Sequence, residues 1–386
     1  VCVRDATNKS QLPRGKQTLH PHGIWYTPQS GIWQTVWLES VPQNYIRSLR
    51  VTPLFDAHQV EITVEGEGQC TIDLEGRRYT FPAGVPAHVP VRAFRPWSPE
   101  QPTLYPFSVT LGSDTVYSYF AMRKYSIETD KDGVRRLFLN GKPYFHNGLL
   151  DQGYWPDGLY TAPSDDALVY DIQLAKDMGF NMLRKHIKIE SARWYYHCDK
   201  LGMIVWQDMP NGDQGPQWQM HNYFNGAEKH RSAESEANFR KEWKEIIDCL
   251  YSVPSIGVWV PFNEAWGQFK APEIAEWTKA YDPSRLVNPA SGGNHYLTGD
   301  ILDTHHYPHP RMTLLDTNRA TVLGEYGGIG LVMKEHLWEP DRNWGYVRLN
   351  SPKEVTDEYE KYADMLYKLI GRGFAAAVYT QTTDVE

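Results

Sequence analysis

No apolar run in this sequence approaches the ~20 residues that carry a helix across a bilayer, so a soluble segment without a helical membrane span is expected. No block of lysine and arginine stands out either. With a net charge of −8 there is no basic stripe for a nucleic acid to follow, and nucleic-acid binding drops out as a function class. Cysteine is scarce: Cys2, Cys70, Cys198 and Cys249 lie far apart, without CxxC or Cys/His metal spacing. They read as free thiols and leave the compartment open between periplasmic or secreted and cytoplasmic. There is no initiating methionine. VCVRDATN begins like the middle of a strand and YTQTTDVE ends as abruptly, so the chain reads as a piece of a longer protein, and the lack of a signal peptide carries no weight.

What is abundant is aromatic: 14 Trp, 24 Tyr and 13 Phe make up 13% of the chain. Two uses compete for them. Tyr and Trp fill large cores while their polar tips find partners, and their flat faces also stack on the C–H face of a pyranose ring. At 386 residues the chain exceeds one ordinary core, so two or three domains are expected.

Residues 1–41 alternate short β-like runs with turns, the last with Ile32, Trp33, Val36 and Leu38 as apolar positions before Pro42. Too short to fold alone, they read as the C-terminal part of a β-sandwich. Over 42–127 seven short strands follow at turn spacing, with period-two alternation in Val60, Ile62 and Val64, the pattern of an immunoglobulin-like β-sandwich. After Arg136 the period changes. Eight strands are expected, at 144–148, 181–186, 203–208, 257–263, 285–289, 301–306, 321–325 and 374–380. Helices lie between them: SDDALVYDIQLAKDMG, capped by Ser164 and with Leu168, Ile172, Ala175 and Met178 on its apolar face; SARWYYHCDKLG, capped by Ser191; AESEANFRKEWKEIIDCLYS; and SPKEVTDEYEKYADMLYKLIGRG. Strands alternating with helices, eight in number, give a (β/α)8 TIM barrel over 128–386.

VWVPFNEAWG at 258–267 and TVLGEYGG at 321–328 look like strands buried on both faces, yet each ends in a carboxylate, Glu264 and Glu325. The carboxyl end of a barrel strand is where chemistry is placed. A structural ion pair would explain Glu264 poorly, because Trp259, Phe262 and Trp266 make an unneeded charge costly there; for Glu325 the bland reading is a turn carboxylate. Two carboxylates on one rim are the apparatus of glycoside hydrolysis. The acid belongs in the aromatic surround, at Glu264, and the nucleophile is the carboxylate that donors keep ionised, at Glu325. Asn263 is placed to bond a sugar hydroxyl, and Arg184 to hold a carboxylate ionised, against the plainer reading of a structural ion pair. His186, Asp208, Trp266, Asp151 after the first strand and Gln381 after the eighth complete the candidate sugar site, with Lys188 a weaker candidate. His305, His306 and His309 suggest a metal, but no carboxylate stands at HExxH spacing. His306 and Tyr307 are therefore read as hydrogen-bonding rim residues, and neither metal nor cofactor is expected.

Taken together, FNEAWG, GEYGG, GIWYTPQSGIWQTVWLE and NGLLDQGYWPDG resemble glycoside hydrolase family 2, whose members include β-galactosidases, β-glucuronidases and β-mannosidases. The resemblance runs through nearly the whole chain. It implies the end of a sugar-binding-type jelly roll over 1–41, an immunoglobulin-like domain and the barrel, with Glu264 as acid/base and Glu325 as nucleophile. The activity it implies is that of a retaining exo-β-glycosidase taking an oligosaccharide or glycoside, β-galactosidase-like first, with β-glucuronidase and β-mannosidase as alternatives. The sequence also departs from the pattern: RKHIK follows the second strand where β-galactosidases carry Cys-Ser-His, and VYTQTTD stands where many members have a tryptophan. The Asn-x-Lys signature of β-glucuronidases would fall beyond residue 386. The sugar and a homo-oligomeric state stay open, as does, from another class, a non-catalytic carbohydrate-binding or structural protein on the same scaffold.

Overall fold

The computed structural model describes residues 2–219, 227–341 and 343–385; Val1 and Glu386, the outer bounds of the expected first and last domains, lie outside them. Eight parallel strands form one sheet: β1 (His146–Asp151), β2 (Met182–Lys185), β3 (Ile204–Asp208), β4 (Ile256–Val260), β5 (Leu286–Val287), β6 (Ile301–His305), β7 (Ala320–Gly327) and β8 (Phe374–Thr380). They pair in the order 5-4-3-2-1-8-7-6, so the sheet curls round until β5 meets β6. There Asp300 makes the link, donating its N–H to Val287 O at 2.8 Å and accepting the Val287 N–H on its carboxylate at 2.8 Å. The result is a nearly closed TIM barrel.

The strands β2, β3, β4, β6 and β7 are buried along their whole length, as their continuous apolar runs require. Alternate side chains divide between two cores. Met182, Ile204, Val258, Ile301 and Val322 fill the barrel, and Trp97, Tyr125 and Leu137 join them from outside the barrel strands. Leu183, Val205 and Trp259 point outward to Phe239, Trp243 and Ile247 of the covering helix.

Among the described residues five α-helices cover the wall: α1 (Asp165–Asp177), α2 (Ala192–Leu201), α3 (Ala233–Leu250), α4 (Ala271–Tyr281) and α5 (Pro352–Arg372). Ser164, Ser232 and Ser351 accept capping bonds from Ala167, Ser235 and Glu354, whereas Ser191 sits at the cap of α2 without a side-chain bond. Met178, expected on the inner face, is 62% exposed, because α1 ends one residue earlier and Gly179 turns the chain away at φ 89°. The expected alternation also fails on one side. Among the described residues no α-helix follows β5 or β6, where Pro289, Gly292, Gly293, Gly299, Pro308 and Pro310 break any helical run.

Ahead of the barrel lie two antiparallel sheets. One has three strands (Ser48–Leu54, Gln59–Glu65, Ala87–Pro90) and one four (Gln69–Leu74, Arg77–Pro82, Tyr105–Leu111, Asp114–Phe120), and their inward residues share a single apolar cluster that includes Val60, Ile62, Ile72 and Val109. The run TVYSYFAMRKYSI is two strands and not one. It breaks after Phe120, where the buried Arg123 turns to donate to Pro254 O and Ser284 O of the barrel, and resumes at Tyr125 in a further three-stranded sheet. In residues 2–47 the expected β runs are not strands. They form only isolated bridges, Gln17 with Tyr26 and His22 with Trp25, and Ile32, Val36 and Leu38 are exposed because no described strand lies beside them to pair with. Arg14 and Gly15 donate their N–H groups to Asn211 O at 3.1 and 3.2 Å, which ties this segment to the barrel rim.

Candidate active site

Every carboxyl end from β2 to β7 except that of β5 sends a polar side chain toward one point. Glu325 comes from β7, whose pairing slips in register on both sides: between Thr304 and His305 against β6, and between Leu323 and Tyr326 against β8. Such bulges re-aim a side chain. Gly324 is obligatory beside it, since a Cβ there would fall 2.2 Å from the Asp303 carboxylate that bonds the Gly324 N–H. Glu264 lies four residues beyond β4. It and Ala265 adopt left-handed backbone, φ 48° and 60°, a strain worth roughly 1–3 kcal/mol per residue that neighbours must over-determine. Ser291 does this: its carbonyl accepts the Glu264 N–H at 2.9 Å, and its own N–H bonds Phe262 O at 2.9 Å.

One oxygen of Glu264, one of Glu325 and a ring nitrogen of His305 lie within 4.8 Å of one another. The two carboxylates differ in surroundings. Glu325, with a side chain 5% exposed, accepts from Arg184 at 3.1 Å and from the Tyr307 hydroxyl at 2.7 Å. Burial alone would raise its pKa, but His305, Arg184, Lys16 and Tyr307 outweigh burial and hold it below the usual carboxylate range. Glu264 is 20% exposed and accepts from His305 Nδ1 at 2.8 Å; its other oxygen takes no hydrogen bond from a described residue.

Arg184 is fully buried and spends its donors on five oxygens of four residues: both of Asp208 (3.1 and 2.9 Å), Asn263 Oδ1 (2.7 Å), Gly324 O (3.2 Å) and Glu325 Oε1. Burial pushes Asp208 up to about 6 against the pull of Arg184. His186 Nδ1 bonds Asp208 at 2.9 Å, and burial, with Lys16 and Arg184 nearby, pushes its pKa down, so the ring is neutral. Its buried Nε2 has no partner among the described residues and lies 3.9 Å from Glu325, poised to accept from a ligand hydroxyl.

The histidine at the carboxylates is His305 and not the expected rim residue His306. Strand register would have found it, because Ile301, Asp303 and His305 alternate onto the inner face of β6. Ser291 Oγ gives its one proton to Asp303 at 2.5 Å, so it accepts from His305 Nε2 at 2.8 Å, while Nδ1 donates to Glu264. This pair of contacts suits an imidazolium, with both ring nitrogens as donors. Its pKa is raised accordingly: burial lowers it, but Glu325, Glu264 and Asp303 prevail. A cation held by Glu264, His305 and Glu325 would have to displace that shared proton. A raised folded pKa gives stability that is present below the unfolded value of about 6.5 and lost as pH rises through the folded one. His305→Gln is therefore expected to cost more stability at pH 5.5 than at pH 9 in urea unfolding; an equal loss at both would show the ring to be neutral.

The remaining expected residues divide. Asn263 and Trp266 line the same cavity as Glu264, about 270 Å³, with Lys16, Trp25, Ile187 and Trp218. Tyr307, stacked on Tyr346 at 4.0 Å, also bonds Thr380. Asp151 instead joins Lys185 and Glu190 in a separate buried cluster, because the strand end that turns Arg184 inward turns Lys185 outward. Lys188 belongs to that cluster too, donating to Glu190, Gly153 O and Tyr160 O. Gln381 accepts from Gln152, which also bonds Tyr26, and His306 turns its ring to His309 O. Neither reaches the carboxylate pair with its side chain. Lys16, Trp218 and Ser291 carry no local sequence signal, and Trp25, though within GIWYTPQSGIWQTVWLE, is not singled out there as a site residue.

Residues 132–326, which hold both glutamates, match the family model described as "Glycosyl hydrolases family 2, TIM barrel domain". The chain belongs to glycosyl hydrolase family 2. Over 323 residues it is 26% identical to a beta-galactosidase of Vibrio vulnificus (strain YJ016), an alignment covering 74% of this chain and 29% of that protein. The chain thus spans less than a third of that relative. Among solved structures it resembles a Bacteroides uniformis beta-glucuronidase (TM-score 0.65, 20% identity, 92% of this chain and 48% of that one). It also resembles a family 2 beta-galacturonidase from Eisenbergiella tayi bound to galacturonate (TM-score 0.62, 18% identity, 88% of this chain and 65% of that one). At such identities the likeness is one of fold. Family 2 membership rests on the barrel, and among the described residues no helix is long and apolar enough to cross a membrane.

Proposed function

We propose that this family 2 chain is a retaining exo-β-glycosidase, β-galactosidase-like, with Glu264 as acid/base and Glu325 as nucleophile. The observation that carries this reading is the short gap between two carboxylates in unlike surroundings. Retaining enzymes hold their carboxyl groups ~5–5.5 Å apart, whereas inverting ones leave ~6.5–9.5 Å for a water. Donors keep Glu325 ionised to attack the anomeric carbon, while Glu264, open to the cavity, passes its proton to the glycosidic oxygen as that bond breaks. The alcohol leaves and a covalent glycosyl-enzyme remains. Water then attacks the anomeric carbon, giving its proton to Glu264, and releases the sugar with its original configuration.

Exo action is supported by the N-terminal segment, whose Ile24 and Trp25 wall the cavity. The galactoside preference is supported by relatives named beta-galactosidase, with β-glucuronide and β-mannoside as alternatives. By the same reading residues 1–41 are the end of a sugar-binding-type jelly roll, 42–127 an immunoglobulin-like sandwich and 128–386 the catalytic barrel. The test is stereochemical: proton NMR during hydrolysis of an aryl β-glycoside should show the β-anomer of the free sugar first, before mutarotation. The α-anomer appearing first would mean inversion and sink the mechanism.

A further inference from the structure

His305 stands between the two glutamates, and the proposed steps make no use of it. Among the described residues it is the one basic side chain in contact with both: Nδ1 lies 2.8 Å from Glu264 Oε1 and 3.7 Å from Glu325 Oε2. Arg184 and His186 pair with Glu325 alone of the two. The ring is also held in place. A Cβ on Gly292 would fall 2.3–2.5 Å from three of its atoms, so the backbone there is pressed against it. Its Nε2 meets Ser291 Oγ at 2.8 Å, and that hydroxyl is held by Asp303, whose carboxylate is fixed by Asn288 at 2.6 Å and by the Gly324 N–H at 2.7 Å.

With Glu325 as nucleophile and Glu264 as acid/base, the negative charge of the pair does not stay on one residue. In the free enzyme it is on Glu325. When Glu325 bonds the anomeric carbon, the glycosidic bond breaks and the proton of Glu264 leaves with the alcohol, so the charge is now on Glu264 and Glu325 is a neutral ester. Water then adds its oxygen to the anomeric carbon and gives a proton to Glu264, the ester bond breaks, and the charge returns to Glu325. A buried charge needs a partner at each stage. Arg184 cannot follow it, because its donors stay on Glu325, Asp208, Asn263 and Gly324 O. His305 serves either carboxylate without moving. It also decides which oxygen of Glu264 carries the acid proton: Oε1 accepts from Nδ1, so the proton belongs on the other oxygen of a residue that lines the cavity.

We propose that His305 is a positioning residue that stays an imidazolium through the cycle, the common counter-ion of a charge that passes from Glu325 to Glu264 as the glycosyl-enzyme forms and returns as it is hydrolysed. This rests on the roles given to the two glutamates. Glu264 from beyond β4, Glu325 from β7 and Asp303 from its own strand all favour the charged ring against the effect of burial. Arg184, His186, Lys16 and Tyr307 stand around them; Arg184, Lys16 and Tyr307 act on Glu325, and His186 feels the charges of His305, Arg184 and Lys16.

The experiment uses the full-length chain, with His305→Asn, which keeps a donor near the place of Nδ1 without the charge, and His305→Gln, whose amide lies nearer that of Nε2. Two rates are followed against pH. The kcat/KM for a 4-nitrophenyl β-glycoside reports ionised Glu325 in the free enzyme, and the release by water of a trapped 2-deoxy-2-fluoro-glycosyl-enzyme reports ionised Glu264 once Glu325 is an ester. A carboxylate that loses a neighbouring cation holds its proton to higher pH, so both acid limbs should move up by about one pH unit in each variant. In Arg184→Lys only the first should move. Acid limbs within about 0.3 pH unit of wild type in both His305 variants would overturn the proposal and leave the glycosidase reading intact. Neutron diffraction of the wild type, free and trapped, decides the matter without any variant: deuterium should occupy both ring nitrogens of His305 in both states, and a bare nitrogen in either overturns the proposal. If the β-galactoside, β-glucuronide and β-mannoside all release nitrophenol no faster than with Glu325→Gln, the glycosidase reading fails and the proposal falls with it.

Discussion

Glu264→Ala, given an aryl glycoside with an activated leaving group, is expected to release a burst of phenol and then turn over slowly. The first step needs little proton donation when the leaving group is good, so Glu325 still attacks and the glycosyl-enzyme forms. Its hydrolysis lacks a base, and the intermediate accumulates. With another sugar as leaving group the same variant should lose roughly 100- to 10,000-fold in the first step, the usual worth of a general acid. Azide, which needs no base, should restore turnover and yield the β-glycosyl azide, the product of two inversions. Glu325→Ala should lose on the order of 10⁵-fold with every substrate, show no burst, and with azide give the α-azide by direct attack at the vacated face. Mass spectrometry of the trapped enzyme and NMR of the azides check both. The same azide anomer from the two variants, or a burst surviving in Glu325→Ala, would reverse or abolish the assigned roles.

The second large effect lies at Arg184. Arg184→Met removes a donor from Glu325 and leaves Asp208 and Asn263 facing an apolar stem, all of them buried. Breaking a buried ion pair from one side costs ~3–5 kcal/mol, which urea unfolding will register. The catalytic consequence has a definite sign. Arg184 is among the groups that lower the Glu325 pKa, so its removal raises that pKa and moves the acid limb of the kcat/KM profile to higher pH. Arg184→Lys keeps the charge but cannot hold Asp208 with two parallel bonds while also reaching Glu325 and Asn263, and should move the limb part of the way. An acid limb that stays in place in both would mean that Arg184 supports the barrel without tuning the carboxylate.

The barrel was legible because a strand buried on both faces needs an unbroken apolar run, and VWV, MIVW and TVL provide such runs. Four of the five described helices were legible too, and the exception, α4, has no capping side chain and begins from Lys270 at φ 42°, so its start carries no N-cap signal. Within the site, Glu264, Glu325, Arg184, Asp208 and Asn263 could be read because each ends a strand or follows one closely. What strand ends do not tell is direction. Asp151 pairs in register with Lys185 and not with Arg184, so it bonds Lys185 in the outer cluster while Arg184 bonds both Asp208 and Glu325, a difference that needs the register and not only the strand end. Lys16 and Trp25 were illegible for another reason, since nothing near them in sequence says which distant loop they will meet. Ser291 matters through its backbone and one proton, and serine is too common to be noticed.

The Arg14 and Gly15 amides on Asn211 and the edge-on packing of Trp25 against Trp266 at 4.9 Å mean that the cleft is walled by a segment preceding the barrel. The carboxylate pair, its donors Arg184 and His305, and Ile187, Trp218, Asn263 and Trp266 of the cavity are encoded within 132–326, whereas Ile24 and Trp25 are not. A recombination upstream of residue 132 would exchange Ile24 and Trp25 while handing on both glutamates intact, so on the proposed reading one side of the cleft can change apart from the carboxylate pair.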